Sequence, residues 1–278
     1  MTNQKIIFIT GGTSGIGRET VKGLASTGAT VVFTARDIKK GEDTKREIIK
    51  ETGNNNVEYL MCNLASFSSI RECVEEFKKR YQRLDVLINN AGVLTMERRE
   101  SEDGIELDFA VNFLAPFLLT NLLLPTLKQS SPARIINVSS SMHIEGKINF
   151  DDLESKKVFN KYKAYAQSKL ALILFTKKFA KELSNDGVTV NALNPGVVGT
   201  EMTMQNVRTL NPIVSFIYRK TLITPAKGAE TSIYLATSPD VANISGKYFD
   251  NKKQIRASTR SDDEGTADRL CEVAKKMV

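Results

Sequence analysis

KIIFITGGTSGIG, residues 5–17, stands almost at the start of the chain and decides how the rest is read. Its first half is a short apolar run with β-branched and aromatic residues, which predicts a strand over 5–10. Four of its last seven residues are glycines that break this pattern, and an amphipathic helix is predicted over 16–27. A strand, a glycine loop and a helix in that order make an anion cradle. The helix N-terminus presents free N–H groups and positive potential. Gly11 takes a tight turn that a side chain would resist. Gly15 lets the backbone approach a pyrophosphate, and Gly17 lets the helix lie close to the sheet. Gly11, Thr13, Ser14, Gly15, Ile16 and Gly17 are therefore candidate cofactor contacts. The Gly-Lys-Ser/Thr ending of a P-loop is missing, so a dinucleotide fits better than a mononucleotide triphosphate.

Outward from this loop, strand and helix signals alternate. Strands are predicted over 30–34, 57–61, 84–89, 134–139 and 188–193, with a short seventh near 247–249. Helices are predicted over 40–52, around 70–77, over 104–112, 116–129 and 164–183, and near 226–236. In the second of these, Ile70, Cys73, Val74 and Phe77 recur at i, i+3, i+4 and i+7. Short apolar strands separated by helices argue for an α/β fold. It would be a Rossmann-like, doubly wound, mostly parallel sheet with helices on both faces. The pattern reads as one domain over 1–250 with a C-terminal extension over 251–278, which ends in a predicted helix.

Composition bounds the class. The chain has 278 residues, 41% apolar and 26% charged, which excludes a disordered or fibrous protein. Lys and Arg number 39 against 32 Asp and Glu, giving a net charge of +7. Lysines lie beside acidic residues over 39–50 and 75–80, and no nucleic-acid motif accompanies them, so solvated helix faces explain the excess. Cys62, Cys73 and Cys271 have neither the number nor the spacing of a disulfide scaffold or a zinc site. They suit a reducing cytoplasm, and no metal is expected. No uninterrupted apolar run approaches 18 residues, so no transmembrane segment is expected.

The second predicted strand ends in FTARD. Where a carboxylate would bind a ribose 2′-hydroxyl, Arg36 comes first, followed by Asp37. A guanidinium suits a 2′-phosphate, which favours NADP (NADPH) and leaves NAD possible. Arg18 is either a further phosphate contact or an exposed helix charge. Further along, YAQSK places Tyr165 and Lys169 four apart on one helical face. A nearby ammonium favours the ionised phenol. The Tyr165 pKa is therefore expected to fall toward the working range, suiting it to acid–base catalysis.

The glycine loop, NNAG at 89–92 and YAQSK, arriving in this order, resemble the short-chain dehydrogenase/reductase family over roughly residues 5–249. The resemblance implies a single doubly wound domain around a mostly seven-stranded sheet. It also implies a catalytic tetrad at Asn112, Ser140, Tyr165 and Lys169. Tyr165 would exchange the proton and Ser140 would orient the reacting oxygen. Lys169 would lower the Tyr165 pKa and bind ribose, and Asn112 would hold a water leading to solvent. The same resemblance implies cofactor contacts from Asn63 and Leu64 at the adenine and from Asn90, Ala91 and Gly92 along the cofactor. Pro195, Gly196, Val198 and Thr200 would lie near the nicotinamide.

TARD, CNLAS, His143 and the 25 positions between Ser140 and Tyr165 resemble the retinol dehydrogenase-like branch. That branch implies a lipid-like or reactive carbonyl substrate. The membrane anchors often carried by its vertebrate members are not expected here, which weakens a retinoid assignment. A lid is expected over about 200–224. It is apolar through Met202, Met204, Leu210, Ile213, Val214, Phe216, Ile217 and Tyr218. His143, the sole histidine, either touches substrate or satisfies local backbone groups. The competing reading is a regulatory protein that binds a nucleotide and turns nothing over. A homodimer or homotetramer is possible.

Overall fold

The structure is a computed structural model that describes residues 4–200, Met204 and residues 222–278. Its strands are β1 (Ile6–Ile9), β2 (Thr30–Ala35), β3 (Val57–Met61), β4 (Val86–Asn89), β5 (Ala133–Val138), β6 (Val188–Asn194), β7 (Tyr248–Asp250) and β8 (Lys253–Ile255). They form one sheet in the order β3-β2-β1-β4-β5-β6-β7-β8. Neighbours pair in parallel up to β7, and β8 returns antiparallel. This eighth strand was not expected. It follows a turn in which Asn251 and Lys252 both take positive φ, a geometry that joins adjacent antiparallel strands. Its three residues are exposed and carry no apolar alternation to betray it.

The period of two along a strand distributes side chains to two cores. In β1, Phe8 packs on one face, its ring 5.1 Å from that of Phe77, while Ile7 and Ile9 pack on the other. Helices α1 (Gly15–Ala25), α2 (Ile38–Thr52) and α6 (Pro225–Thr237) cover the Ile7 face. Helices α3 (Phe67–Arg80), α4 (Leu107–Gln129), α5 (Lys161–Glu182) and α7 (Glu264–Met277) cover the Phe8 face. The C-terminal helix α7 buries Ala267, Leu270, Cys271 and Ala274 in this second core.

Two helices expected near 104–112 and 116–129 are one helix, α4. It contains a wide π turn at Ala110–Leu114, where the Ala115 N–H reaches back to the Ala110 carbonyl. Pro116 accounts for the widening. It has no N–H to give the Asn112 carbonyl, its partner in a regular α-helix. By length and composition α4 would span a membrane, although 78% of its most apolar window is buried within the fold. Counting uninterrupted apolar runs did not reveal it, because Asn112, Thr120 and Asn121 interrupt the pattern. Its aromatic face meets α5 through Phe117 and Phe175, with ring centroids 5.3 Å apart.

A buried polar ladder crosses the sheet beneath these helices. Asn89 donates to Asn137 at 2.8 Å and to Thr120 at 3.2 Å, and Asn137 donates to Thr176 at 2.8 Å. Asn137 is thus consumed in the core, although the sequence around it matches a glycosylation acceptor.

Candidate active site

The sheet changes winding direction between β1 and β4. The chain leaves β1 toward α1 on one face and, after β4, reaches α4 on the other, which opens a crevice at their carboxyl ends. The glycine loop fills one lip of it. Thr34 accepts from the Gly11 N–H at 2.9 Å, and the Thr34 carbonyl accepts from Gly12 at 3.3 Å. From the other lip, Asn90 donates to the Thr10 carbonyl at 2.8 Å. The Thr10 hydroxyl oxygen accepts the N–H groups of Asn90 and Ala91 at 2.9 and 3.0 Å. Thr10 and Thr34, which sequence reasoning did not single out, therefore lock the loop to the strands beside it.

Side chains at several of the loop glycines would collide with their neighbours. A Cβ on Gly17 would stand 1.9 Å from the Gly11 carbonyl oxygen, so this glycine is required by the loop rather than by helix–sheet packing. Gly15 takes φ +53 and lies against Thr200. The α1 N-cap, Ser14, makes no side-chain cap bond, and no acidic residue occupies the first turn. The first N–H groups and their positive potential are thus available to an anion, and the residues present fit a dinucleotide phosphate.

Arg36 follows β2 and is exposed. With Asp37, Ile38, Arg46 and Met61 it lines a cavity of about 740 Å³. Asp37 is spent locally, capping α2 by accepting from the Lys40 N–H at 2.7 Å. Arg18 is also spent. It pairs with Glu47 at 3.0 Å and Glu51 at 2.6 Å on α2, which favours the helix-face reading. Asn63 folds its own turn, accepting from Ala65 at 3.1 Å, and donates to Glu102 at 2.7 Å. Leu64 is buried in the core.

On the far lip, Ser140 follows β5, while Tyr165 and Lys169 stand one turn apart on α5. Both are buried, Tyr165 at 8% exposure and Lys169 at 3%. The Lys169 Nζ lies 5.6 Å from the Tyr165 ring centroid and donates to the Val138 carbonyl at 3.0 Å. Ser139 ties the strand end to the helix by donating to the Lys169 carbonyl at 3.0 Å. Asn112, in the π turn, accepts from the Val93 N–H at 2.8 Å and donates to the Val93 carbonyl at 2.9 Å and to Ser168 at 3.0 Å. A Cβ on Gly92 would come within 3.2 Å of both Asn112 Oδ1 and Lys169 Nζ. The four tetrad positions thus gather at one end of β4 and β5.

Burial reverses the expected titration. The Tyr165 phenol is pushed up to about 12, because losing water outweighs the Ser140 hydroxyl that favours its anion. The Lys169 ammonium is brought down to about 8 by the same desolvation, opposed by Asp108. The ammonium therefore does not win over burial, and the phenol stays protonated through the physiological range.

Asp108 is the residue that sequence reasoning missed. It is fully buried one turn before Asn112, and its Oδ1 accepts the Thr95 N–H at 3.0 Å. Its Oδ2 has no hydrogen-bond partner among the described residues. Burial first, and then the nearby Glu106, push its carboxyl up to about 7. The available signal was the i, i+4 spacing to Asn112 on an apolar helix.

Pro195, Gly196 and Val198 follow β6 beside the crevice. Gly196 takes φ +83, and Val198 forms a parallel bridge with Ile223, whose N–H bonds to the Val197 carbonyl at 3.0 Å. Thr200 donates its N–H to Val198 at 2.8 Å and lies over Gly15. The expected lid residues Met202, Leu210, Ile213, Val214, Phe216, Ile217 and Tyr218 lie outside the described residues. His143 is buried, and both ring nitrogens bond to backbone groups: Nδ1 meets the Ser140 carbonyl at 2.7 Å, and Nε2 the Ser258 N–H at 3.0 Å. The substrate-contact reading of His143 gives way to the backbone one.

A dinucleotide crevice with a lysine-paired phenol beside it marks a nicotinamide-dependent oxidoreductase acting on alcohol or carbonyl groups. Within that class the chain belongs to the short chain dehydrogenase family, whose profile matches residues 5–211. It is 42% identical to human retinol dehydrogenase 13 over 99% of this chain and 84% of the relative. It is also 42% identical to human polyprenol dehydrogenase over 91% of this chain and 78% of that protein. Among solved structures, the Pseudomonas aeruginosa RhlG/NADP active-site complex superposes with a TM-score of 0.72. It is 27% identical and covers 88% of this chain and 93% of that one.

Proposed function

We propose that the protein is an NADP-dependent oxidoreductase. It exchanges hydride between the nicotinamide and an apolar or amphipathic alcohol or carbonyl compound, with Tyr165 as acid and base. The observation that carries this reading is that the half-buried Ser140 stands with the buried Tyr165 and Lys169 beside the crevice that follows β1 and β4. The bound nicotinamide supplies or accepts the hydride. In reduction, Tyr165 gives its proton to the carbonyl oxygen while the carbonyl carbon receives the hydride. Ser140 donates a hydrogen bond to that oxygen as charge develops. Lys169 stabilises the phenolate left behind and binds the ribose. Asn112 holds the Val93 backbone and the proton path to solvent.

Gly11, Thr13, Ser14, Gly15, Ile16 and Gly17 hold the pyrophosphate in this reading, and Asn63 and Leu64 flank the adenine. Asn90, Ala91 and Gly92 line the cofactor, while Pro195, Gly196, Val198 and Thr200 support the nicotinamide end. Arg36 takes the 2′-phosphate. The NADP preference is supported by that exposed guanidinium after β2 and by the NADP complex of a structural relative. Residues 1–250 form the catalytic domain and 251–278 its extension. Three free, buried cysteines favour a reducing, cytoplasmic compartment.

An apolar substrate is supported by the composition of residues 202–218 and by relatives named for retinol and polyprenol. A homologous series of aldehydes tests it. Catalytic efficiency should rise with chain length. A flat or falling series, with preference for charged substrates, would refute the apolar pocket.

A further inference from the structure

His143 sits in the 3₁₀ turn Ser141–Glu145, three residues after Ser140, and is 1% exposed. A backbone N–H can only donate, so Nε2 accepts from Ser258. The ring proton must then be on Nδ1, where it is given to the Ser140 carbonyl. Geometry fixes one neutral tautomer with both nitrogens spent. The ring lies edge-on to Tyr248, with centroids 4.8 Å apart. Other contacts draw the same C-terminal stretch against the same turn. Arg260 donates to the Ile144 and Gly146 carbonyls, each at 3.1 Å. Ser261 donates to the Ser258 carbonyl at 2.6 Å and is itself held by Lys177 at 2.9 Å.

A ring of this size could fill the space without polar atoms. An apolar ring would leave the half-buried Ser258 N–H unpaired and take from the Ser140 carbonyl its shorter bond, leaving it only the His143 backbone N–H at 3.2 Å. One of the two groups served belongs to the serine whose hydroxyl must meet the substrate oxygen. We propose that His143 is a positioning residue for Ser140, and that through it the C-terminal segment around Ser258 belongs to the reaction machinery. The inference rests on the reading of Ser140 given above. The segment clamps the serine turn from outside the crevice, 115 residues away from His143 in sequence. Misplacing a catalytic group by about 1 Å costs up to roughly 10²-fold in rate, so loss of this clamp should appear in kcat and not in cofactor binding.

Ser258→Pro tests the clamp with one atom. Ser258 has φ −62, already within the proline range, and its buried hydroxyl has no partner among the described residues. The substitution therefore removes the N–H to His143 and no other hydrogen bond. His143→Phe is the second variant; it keeps the ring against Tyr248 and removes both bonds. For each, kcat, the NADPH Kd and thermal stability are measured beside Ser140→Ala. The expected result is a fall in kcat of about tenfold in Ser258→Pro and at least as much in His143→Phe, with the NADPH Kd within about twofold of wild type. The double variant should be no slower than His143→Phe alone, because both changes break one linkage. If Ser258→Pro does not fold, His143→Phe decides by the same criteria. Wild-type kcat in either folded variant, with Ser140→Ala inactive, would overturn the clamp and leave the Ser140 assignment standing. Undiminished turnover in Ser140→Ala would overturn that assignment and the clamp with it.

Discussion

Asp108→Asn should make the protein more stable and, at alkaline pH, less active. The carboxyl is fully buried, and its pKa is raised from 3.8 to about 7, chiefly by lost hydration and then by Glu106. Between about pH 4 and 7 the folded protein holds a proton that the unfolded chain has released. Stability therefore falls as pH rises through that window, by about 1.4 kcal/mol per pH unit. Above the folded pKa the accumulated cost is roughly 4 kcal/mol. Asparagine does not titrate, and its Oδ1 can still accept the Thr95 N–H. The stability difference between variant and wild type should thus grow from near zero below pH 4 to about 4 kcal/mol above pH 7, or roughly 8 °C in Tm. Glu106 is raised by burial in both proteins, and its repulsion of the Asp108 carboxylate is part of the cost that asparagine removes. Losing the negative charge also withdraws support from the Lys169 ammonium, so the alkaline fall in turnover should move to lower pH. Paired thermal unfolding from pH 4 to 8 measures the effect. Parallel stability curves for the two proteins would refute a buried titrating carboxylate at this position.

Arg36→Ala should weaken NADP binding by roughly 1 kcal/mol or more and leave NAD binding nearly unchanged, as read by titration with both cofactors; equal weakening would point to a packing role. Gly17→Ala should abolish measurable cofactor binding, because its methyl would occupy the space of the Gly11 carbonyl; retained NADPH affinity would show that the loop is not the binding site. Wild-type carbonyl reduction should hold level below about pH 8 and decline above it. Lys169, with its pKa lowered to about 8, loses its proton there. A profile flat to pH 10 would contradict a role for its charge.

The local features were legible in the sequence. The strand, loop and helix of residues 5–27, the buried stripe Ile70, Cys73, Val74 and Phe77, and the Tyr165–Lys169 spacing each depend on residues within a few turns of one another. What depended on distant partners was not. Arg18 finds its acids on the next helix, 29 and 33 positions away. His143 finds its second partner 115 positions away. The Tyr165 titration was misread because spacing reveals the neighbouring ammonium and not the desolvation that outweighs it. The π turn was hidden although its cause, Pro116 four residues after Asn112, stands in the sequence. Asp108 was passed over because a carboxylate on an apolar helix is ordinarily read as its solvated side, and here it faces the core.

Tyr165→Phe tests the central claim most directly. The ring still packs, and only the hydroxyl proposed to carry the proton is lost. NADPH oxidation is followed with a panel of apolar aldehydes, and reduction of NADP with the matching alcohols, beside a binding titration. The account predicts wild-type turnover in at least one direction. The variant should bind NADPH with unchanged affinity and turn over about 10²–10⁴-fold more slowly. Equal turnover in variant and wild type, or cofactor binding without turnover of any substrate by the wild-type protein, would contradict it.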